Sequence, residues 1–197
     1  MNTDCKCEGR HYGKYRGVVV NNVDPQQIGR VQVSVAELAD SAAAWAMPCA
    51  PVAGPEMGLW AIPPIGAHVW VEFEGGDPDH PIWSGGWWDS SASIPTQAHL
   101  GAPNNPPLVI QTTFGHSFTM SDVPGQPGGL TLRSATGAFI TVNDLGILIS
   151  NGKGATIALT GPQITFDAVV AIDGFAVVNG PMQLQGLVNG LPYPPPH

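Results

Sequence analysis

Three side chains near the N-terminus could together ligate a metal ion. Cys5 and Cys7 lie two positions apart, and His11 follows four positions after Cys7. Two thiolates and an imidazole suit a soft cation such as Zn²⁺, but a closed zinc site has four protein ligands. Only Cys49 is obviously left to supply the fourth, so we favour a loose N-terminal arm over residues 1–14.

An acidic turn offers a second candidate cluster. Asp77, Asp79 and His80 lie in the segment Gly-Gly-Asp-Pro-Asp-His, where they could act as metal ligands or as an acid and base pair. Turn formation explains the same residues more simply, because aspartate favours turn starts and Pro78 fixes the backbone angle that follows. We therefore interpret this cluster as a structural turn.

Glu72 and Glu74 alternate along the preceding segment and would share one face of a strand. Paired carboxylates are the catalytic groups of glycosidases, so a glycan hydrolase built around Glu72, Glu74 or Asp77 is one interpretation. Neighbouring solvent-facing carboxylates are common, however, and the sequence has no Gly-x-Ser-x-Gly, His-Glu-x-x-His, P-loop or dinucleotide motif. We expect a protein that is not an enzyme.

The composition excludes several other classes of protein. The net charge is -8, and only Arg133 and Lys153 are basic beyond Arg30, whereas phosphate contacts need clustered lysine and arginine. No apolar run approaches the ~20 residues of a membrane-spanning helix, and the N-terminus lacks the apolar core of a signal peptide. We expect a protein made in the cytoplasm, without nucleic-acid partners or stable membrane insertion. An odd number of cysteines also argues against a disulfide framework.

Short strands separated by turns must position these residues. Glycine (25) and proline (20) are abundant and charged residues make up only 11% of the chain, which predicts an all-β protein. Val31, Val33 and Val35 alternate with polar residues, and Val69, Val71 and Phe73 alternate with Trp70, Glu72 and Glu74. A period of two turns one face of a strand towards a core, so these valines should be buried.

Residues 15–88 hold five or more such strands, which suits a five-stranded Greek-key barrel of the OB type. All six tryptophans lie between Trp45 and Trp88, more than one small core can hold, so some should lie in an interface. The residues expected to shape the turns of the barrel are Gly29, Gly66, Gly75, Gly76, Asp77 and Pro78.

The second half of the chain has a different pattern. A linker rich in proline, glycine and serine covers residues 89–114, and short strands with glycine or aspartate turns fill residues 115–180. Strands this short cannot bury an apolar face within one chain, so copies of the chain must cover one another. An independent meander or sandwich is the alternative.

Several segments of the first half resemble one known family. Tyr15–Pro25 reads YRGVVVNNVDP, and it is followed by Ile28–Val31, by IPPIG at 62–66, by FEGGDP at 73–78 and by Pro81–Trp83. In this order the segments resemble the OB-fold domain of phage baseplate assembly protein V. The same module is found in VgrG-like spikes of contractile injection systems.

Residues 150–162 resemble a stretch of the injection-system members, in which an intertwined triple-stranded β-helix follows the OB domain. The resemblance therefore implies a homotrimer in which residues 115–180 form a β-helical spike. The residues expected to fill its shared core are Ile140, Val142, Leu148, Ile157, Leu159, Ile164 and Phe166.

The resemblance also implies a function and partners. A homotrimeric central spike would seat its OB end on the baseplate hub, near the tail-tube initiator, and sheath contraction would drive it through the target envelope. Residues 181–197 would form the tip and a proline-rich tail, which a PAAR-like protein could cap. Three copies of His197 could bind a metal ion there, but otherwise we expect no cofactor.

The assembled protein would belong to a phage tail or to a phage-tail-like injection particle. The alternative function is an OB-fold module that binds single-stranded nucleic acid or carbohydrate on exposed tryptophans. The acidic net charge and the strand-rich second half oppose this alternative.

Overall fold

The computed structural model describes residues 9–38, 43–126, 128–171, 187–188 and 191–192. Strands of the first half are β1 (Tyr15–Asn21), β2 (Val31–Val35), β3 (Ala44–Pro48), β4 (Ala53–Gly54), β5 (Met57–Gly58), β6 (His68–Phe73) and β7 (Pro81–Gly86). Those of the second half are β8 (Leu108–Gln111), β9 (Ser117–Ser121), β10 (Gly129–Arg133), β11 (Phe139–Asn143), β12 (Gly146–Ser150), β13 (Thr156–Thr160), β14 (Gln163–Asp167), β15 (Leu187–Val188) and β16 (Leu191–Pro192).

Helical structure is limited to short 3₁₀ turns at Ala36–Leu38, Glu74–Gly76, Ser91–Ser93 and Thr96–His99 in the described part of the chain. Within that part, no helix has the length and apolar character needed to cross a membrane. The all-β prediction is confirmed.

The first half closes into a five-stranded barrel with the order β1-β2-β3-β7-β6. Its neighbouring strands are antiparallel except β3 and β7, which pair in parallel through Met47–Ile82 and Pro48–Trp83. Strand β1 pairs with both β2 and β6 and so completes the ring. This closure is consistent with the predicted OB fold.

The alternating valines form the core of the barrel. Val19, Val31, Val33, Val69 and Val71 are each at most 4% exposed. Period-two alternation turned these side chains inward, as the sequence predicted. Burying each of them stabilises the barrel by roughly 1.5–3 kcal/mol, so the barrel has a core that one chain supplies by itself.

The turn between β1 and β2 is organised by Asp24. Its carboxylate accepts hydrogen bonds from the backbone N–H groups of Gln26 (3.0 Å) and Ile28 (2.9 Å) and from the Arg30 guanidinium (3.0 and 2.8 Å). The Arg30 side chain, which also lies over the Trp45 ring, holds the pKa of Asp24 well below its usual range, and the backbone donors add to this effect.

We predict that Asp24→Asn lowers the melting temperature by several degrees at pH 7. Because the folded-state pKa of Asp24 is depressed, its contribution to stability is present above the unfolded pKa of about 3.9 and is lost as the pH falls towards the folded value. Thermal denaturation of both proteins from pH 7 to pH 2 should show the difference shrinking below about pH 4. A difference that is equal at all pH values would contradict the role of ionised Asp24.

Two turn glycines, Gly29 and Gly66, adopt left-handed backbone angles, with φ of +86° and +85°. They differ in their surroundings. A Cβ at Gly29 would lie 3.0 Å from Ile62 Cδ1 and 3.3 Å from the Trp60 ring, whereas a Cβ at Gly66 would meet no atom within 4 Å. Gly29 thus combines a conformational and a steric requirement.

We expect Gly66→Ala to cost about 1–2 kcal/mol, since alanine disfavours this backbone region. Gly29→Ala should cost more, because the same conformational penalty is joined by displacement of Ile62 and Trp60. Chemical denaturation of the two variants compares these costs directly. Equal losses of stability would show that the contacts around Gly29 relax freely.

The second half forms one seven-stranded antiparallel sheet in the order β14-β13-β12-β11-β10-β9-β8. Each strand pairs with its neighbours in the chain, and β8 to β14 have four or five residues each. The linker crosses one face of this sheet, where Gln97, Leu100 and Pro107 share a small cavity of about 40 Å³ with Thr119 and Thr141.

Candidate functional site

The register of the seven-stranded sheet gathers apolar side chains on one face. Ile140 lies opposite Leu132 on β10 and Ile149 on β12, and Ile149 in turn lies opposite Ile157 on β13. Side chains of directly paired residues point to the same face, so this row is apolar from strand to strand. We call the side that these residues share the apolar face.

Every strand of the sheet contributes two residues to the apolar face, and all of them are hydrophobic. They are Leu108, Ile110, Phe118, Met120, Leu130, Leu132, Ile140, Val142, Ile147, Ile149, Ile157, Leu159, Ile164 and Phe166.

Much of the apolar face is open to solvent in a single chain. Ile110 is 64% exposed, Leu132 53%, Ile164 62% and Phe166 54%. Covering a half-exposed side chain of this size gains roughly 1 kcal/mol, so covering the whole face gains on the order of 10 kcal/mol per chain. That gain is comparable with the cost of association, about 4–15 kcal/mol, before any contribution from the barrel.

The opposite face of the sheet is mostly polar. Thr131 and Thr141 lie opposite each other, with their hydroxyl oxygens 3.2 Å apart, and Thr119 continues the row. Thr119 and Thr141 are only 6% and 5% exposed. Among the residues of β8 to β14, all of which the structure describes, only Arg133 and Asp167 are charged. In a sheet that folds within one chain, the apolar face is usually covered and the polar face is exposed. Here the polar face is the more covered one and the apolar face is open to solvent.

Two family models match the chain, and they match its two halves. One describes the type VI secretion system/phage-baseplate injector OB domain and matches residues 15–88. The other describes the phage baseplate V C-terminal trimerisation domain and matches residues 107–172. The chain belongs to the phage baseplate V family. No curated protein sequence matches it.

Membership of the phage baseplate V family explains the apolar face. The matched trimerisation domain contains all seven strands that carry this face. The chain is therefore a homotrimerising structural protein of a phage or type VI secretion baseplate, and the family predicted from its sequence is confirmed.

Six of the seven residues predicted for the shared core lie on the apolar face: Ile140, Val142, Ile157, Leu159, Ile164 and Phe166. Leu148 does not, and its assignment was wrong. It pairs with Thr141 and Ala158, which places it on the polar face. The apolar run Ile147-Leu148-Ile149 has no alternation, so the sequence alone could not show which of its members point to the same side.

The predicted core residues did not include the part of the apolar face nearest the linker. Leu108 and Ile110 precede the boundary at which the spike was expected to begin, yet they pair with Met120 and Phe118 in the same sheet. A signal was available, because Leu108, Ile110, Phe118 and Met120 are separated by single residues within each strand.

Four of the six proposed turn residues of the barrel, Gly75, Gly76, Asp77 and Pro78, lie together at the end of β6. Gly75 and Gly76 have positive φ angles of 58° and 79°. The Asp77 carboxylate accepts a hydrogen bond from the backbone N–H of Asp79 (3.1 Å). The backbone carbonyl of Asp77 accepts one from the backbone N–H of His80 (3.0 Å). Pro78 lies within this turn, whose hydrogen bonds are those of a structural reversal.

The N-terminal residues that the structure describes pack against the same turn. The backbone N–H of His11 donates a hydrogen bond to the Gly76 carbonyl (2.8 Å), and the Arg10 guanidinium donates one to the Gly75 carbonyl (2.8 Å). The His11 ring contacts Tyr15 and Phe73, with ring centroids 6.0 and 5.9 Å apart. An imidazole in this aromatic environment contributes to packing on the barrel.

Three weak metal candidates, Cys5, Cys7 and His197, lie outside the described residues. Within the described ranges, histidine, cysteine and acidic side chains form no group of three that could hold a metal ion. Glu72 is hydrogen-bonded by Lys14 and by Ser84, and Lys14 is the main cause that lowers the pKa of Glu72. Glu72 is thus an ion-paired surface carboxylate on the barrel.

We predict that Ile157→Asp prevents trimer formation, whereas Ala158→Asp leaves the trimer assembled. The two residues are neighbours on β13 and are both half-buried, but only Ile157 lies on the apolar face. Three carboxylates buried between sheets would each cost several kcal/mol or titrate to neutrality. Sedimentation velocity should report monomers for Ile157→Asp and trimers for Ala158→Asp. A trimer with unchanged melting temperature in Ile157→Asp would refute this assignment of the interface.

Proposed function

We propose that three copies of this chain form the central spike of a contractile phage tail or of a VgrG-like injection system, and that sheath contraction drives the spike through the target envelope. The observation that carries this proposal is the continuous apolar face of the seven-stranded sheet. One chain cannot cover that face, but three sheets can, if each turns it towards a common axis.

The dimensions of the sheet suit a needle. Its longest strands have five residues, or about 17 Å at the usual rise per residue, and seven strands stack to about 30 Å at the usual spacing. Three such sheets around an axis make a narrow rod whose strands run across its length. Sheet twist has a fixed hand, so it would wind the three walls around the axis as a triple-stranded β-helix.

Rigidity is the mechanical property that a piercing rod needs. Each of the strands β8 to β14 pairs with its neighbours over four or five residues, and connections of two to seven residues join the strands. Joining three apolar faces would add close packing to this backbone ladder, and packed interiors have low compressibility. The proposed role is therefore mechanical and requires neither catalysis nor a resident cofactor.

The barrel is the proposed attachment end. It has its own core and precedes the linker, so it can bind the baseplate hub and the tail-tube initiator without disturbing the rod. The opposite end of the rod, beyond β14, would carry the tip and accept a PAAR-like cap. In this proposal the protein is located in the assembled tail or injection particle, at the centre of the baseplate.

Electron microscopy of the intact particle tests this placement. A gold-labelled tag added after His197 should appear on the particle axis at the distal end of the baseplate before contraction, and beyond the baseplate after it. A tag at the C-terminus of a sheath subunit serves as the off-axis control. Gold located away from the axis, or behind the baseplate plane after contraction, would exclude the spike.

A further inference from the structure

The barrel carries an apolar surface outside its own core. The loop between β3 and β6 includes the short strands β4 and β5, which form a hairpin, and we call residues 49–63 the hairpin loop. Four of its apolar side chains are half exposed or more: Val52 (50%), Met57 (60%), Leu59 (58%) and Trp60 (68%). Such a cluster on a small soluble domain indicates a surface that a partner covers.

An open groove of about 850 Å³ lies between the hairpin loop and the wall of the barrel. Ile28 and Trp83 line the groove from the barrel, and Met57, Trp60 and Ile62 line it from the loop. The groove is large enough to receive several apolar side chains, and residues of both the barrel and the hairpin loop set its shape.

Trp60 is exposed and yet held in position. Its ring and the Ile62 side chain both pack against Gly29, where only a hydrogen atom leaves room for them. Trp83 Nε1 donates to the Gly29 carbonyl at 3.1 Å and fixes the same turn from inside the barrel. An interfacial tryptophan that is already ordered loses little entropy on binding, which is typical of anchor residues.

The hairpin loop is continuous with the apolar face of the sheet. Trp60 and Ile62 line the groove on the barrel, and they also line a second open cavity of about 860 Å³. Ile110, Phe118 and Ile140 of the apolar face border that second cavity. The two exposed apolar surfaces therefore meet at Trp60 and form one surface that runs from the barrel to the sheet.

The charge of the hairpin loop fits a partner with the same sequence. The chain has a net charge of -8, so contacts between copies are generally repulsive. Residues 49–63 contain one charged side chain, Glu56, among fifteen positions of mostly apolar, glycine and proline residues. Two copies can approach here with little charge repulsion.

We propose that a second copy of this chain covers the hairpin loop, so that Leu59 and Trp60 of each protomer bury against the neighbouring protomer. The inference rests on the proposed spike, because it takes the apolar face to be the side that faces the axis. The barrels would then be part of the trimer interface and would form a fixed ring at the head of the rod.

Site-specific photo-cross-linking tests the contact in the full-length trimer. p-Benzoyl-L-phenylalanine replaces Trp60 in one variant and Trp88, which is 63% exposed and lies outside the hairpin loop, in a matched control. After irradiation, Trp60→p-benzoyl-L-phenylalanine should yield covalent dimers and trimers on a denaturing gel, and the control should not. Peptide mapping should place the cross-link in a second copy of the chain.

Sedimentation of each sample before irradiation separates the two possible failures. A monomeric wild-type chain would refute the proposed spike, and the inference with it. A trimer in which Trp60 cross-links only within its own chain, or no more than Trp88 does, would refute the inference alone.

A second variant covers the case in which the Trp60 replacement does not fold. Leu59→Arg should raise the trimer dissociation constant by on the order of tenfold or more, as loss of an interface anchor does. Val23→Arg, at a 74% exposed position in the β1–β2 turn, is its control and should leave the constant unchanged. Equal dissociation constants for the two arginine variants would overturn the proposal.

Discussion

The structure depends on one constraint: the seven-stranded sheet satisfies its backbone hydrogen bonds within one chain but cannot cover its apolar face. Backbone pairing between neighbouring strands fixes which side chains share that face, since a register slip of one residue would exchange the two sides. Because the same register also determines the surface for assembly, local strand pairing and trimerisation are two consequences of one sequence pattern. The polar face, in contrast, is already partly covered by the linker.

The barrel differs from the sheet, because its strands close into a ring and bury its valines within one chain. Asp24 and Arg30 stabilise the turn that starts this closure, and Gly29 allows Trp60 to pack outside it. One chain therefore combines a domain whose core it supplies by itself with a domain whose apolar face it leaves exposed. The core of the barrel is therefore complete in one chain, whereas the sheet of the second half needs other copies to cover its apolar face.

Much of this fold could be predicted from single residues and their spacing. The alternation of Val31, Val33 and Val35 with polar residues was sufficient to predict that these side chains are buried. The Gly-Gly-Asp-Pro sequence was sufficient to predict a turn that reverses the chain. Leu148 was misassigned because an apolar run carries no period. The hydrogen bonds of Asp24 and the continuity between Trp60 and the apolar face were not predictable, since both depend on residues brought together only by barrel closure and by tertiary packing.

The near absence of charge from the strands of the polar face bears on how such a surface meets a lipid bilayer. Moving a charged side chain into the middle of a membrane costs about 2.5–3.5 kcal/mol on insertion scales. A wall made chiefly of serine, threonine, asparagine and glutamine, with Arg133 and Asp167 as its only strand charges, avoids most of that penalty. The same wall still carries hydroxyl and amide groups, whose burial in hydrocarbon costs free energy, so lipid would not retain a surface of this kind.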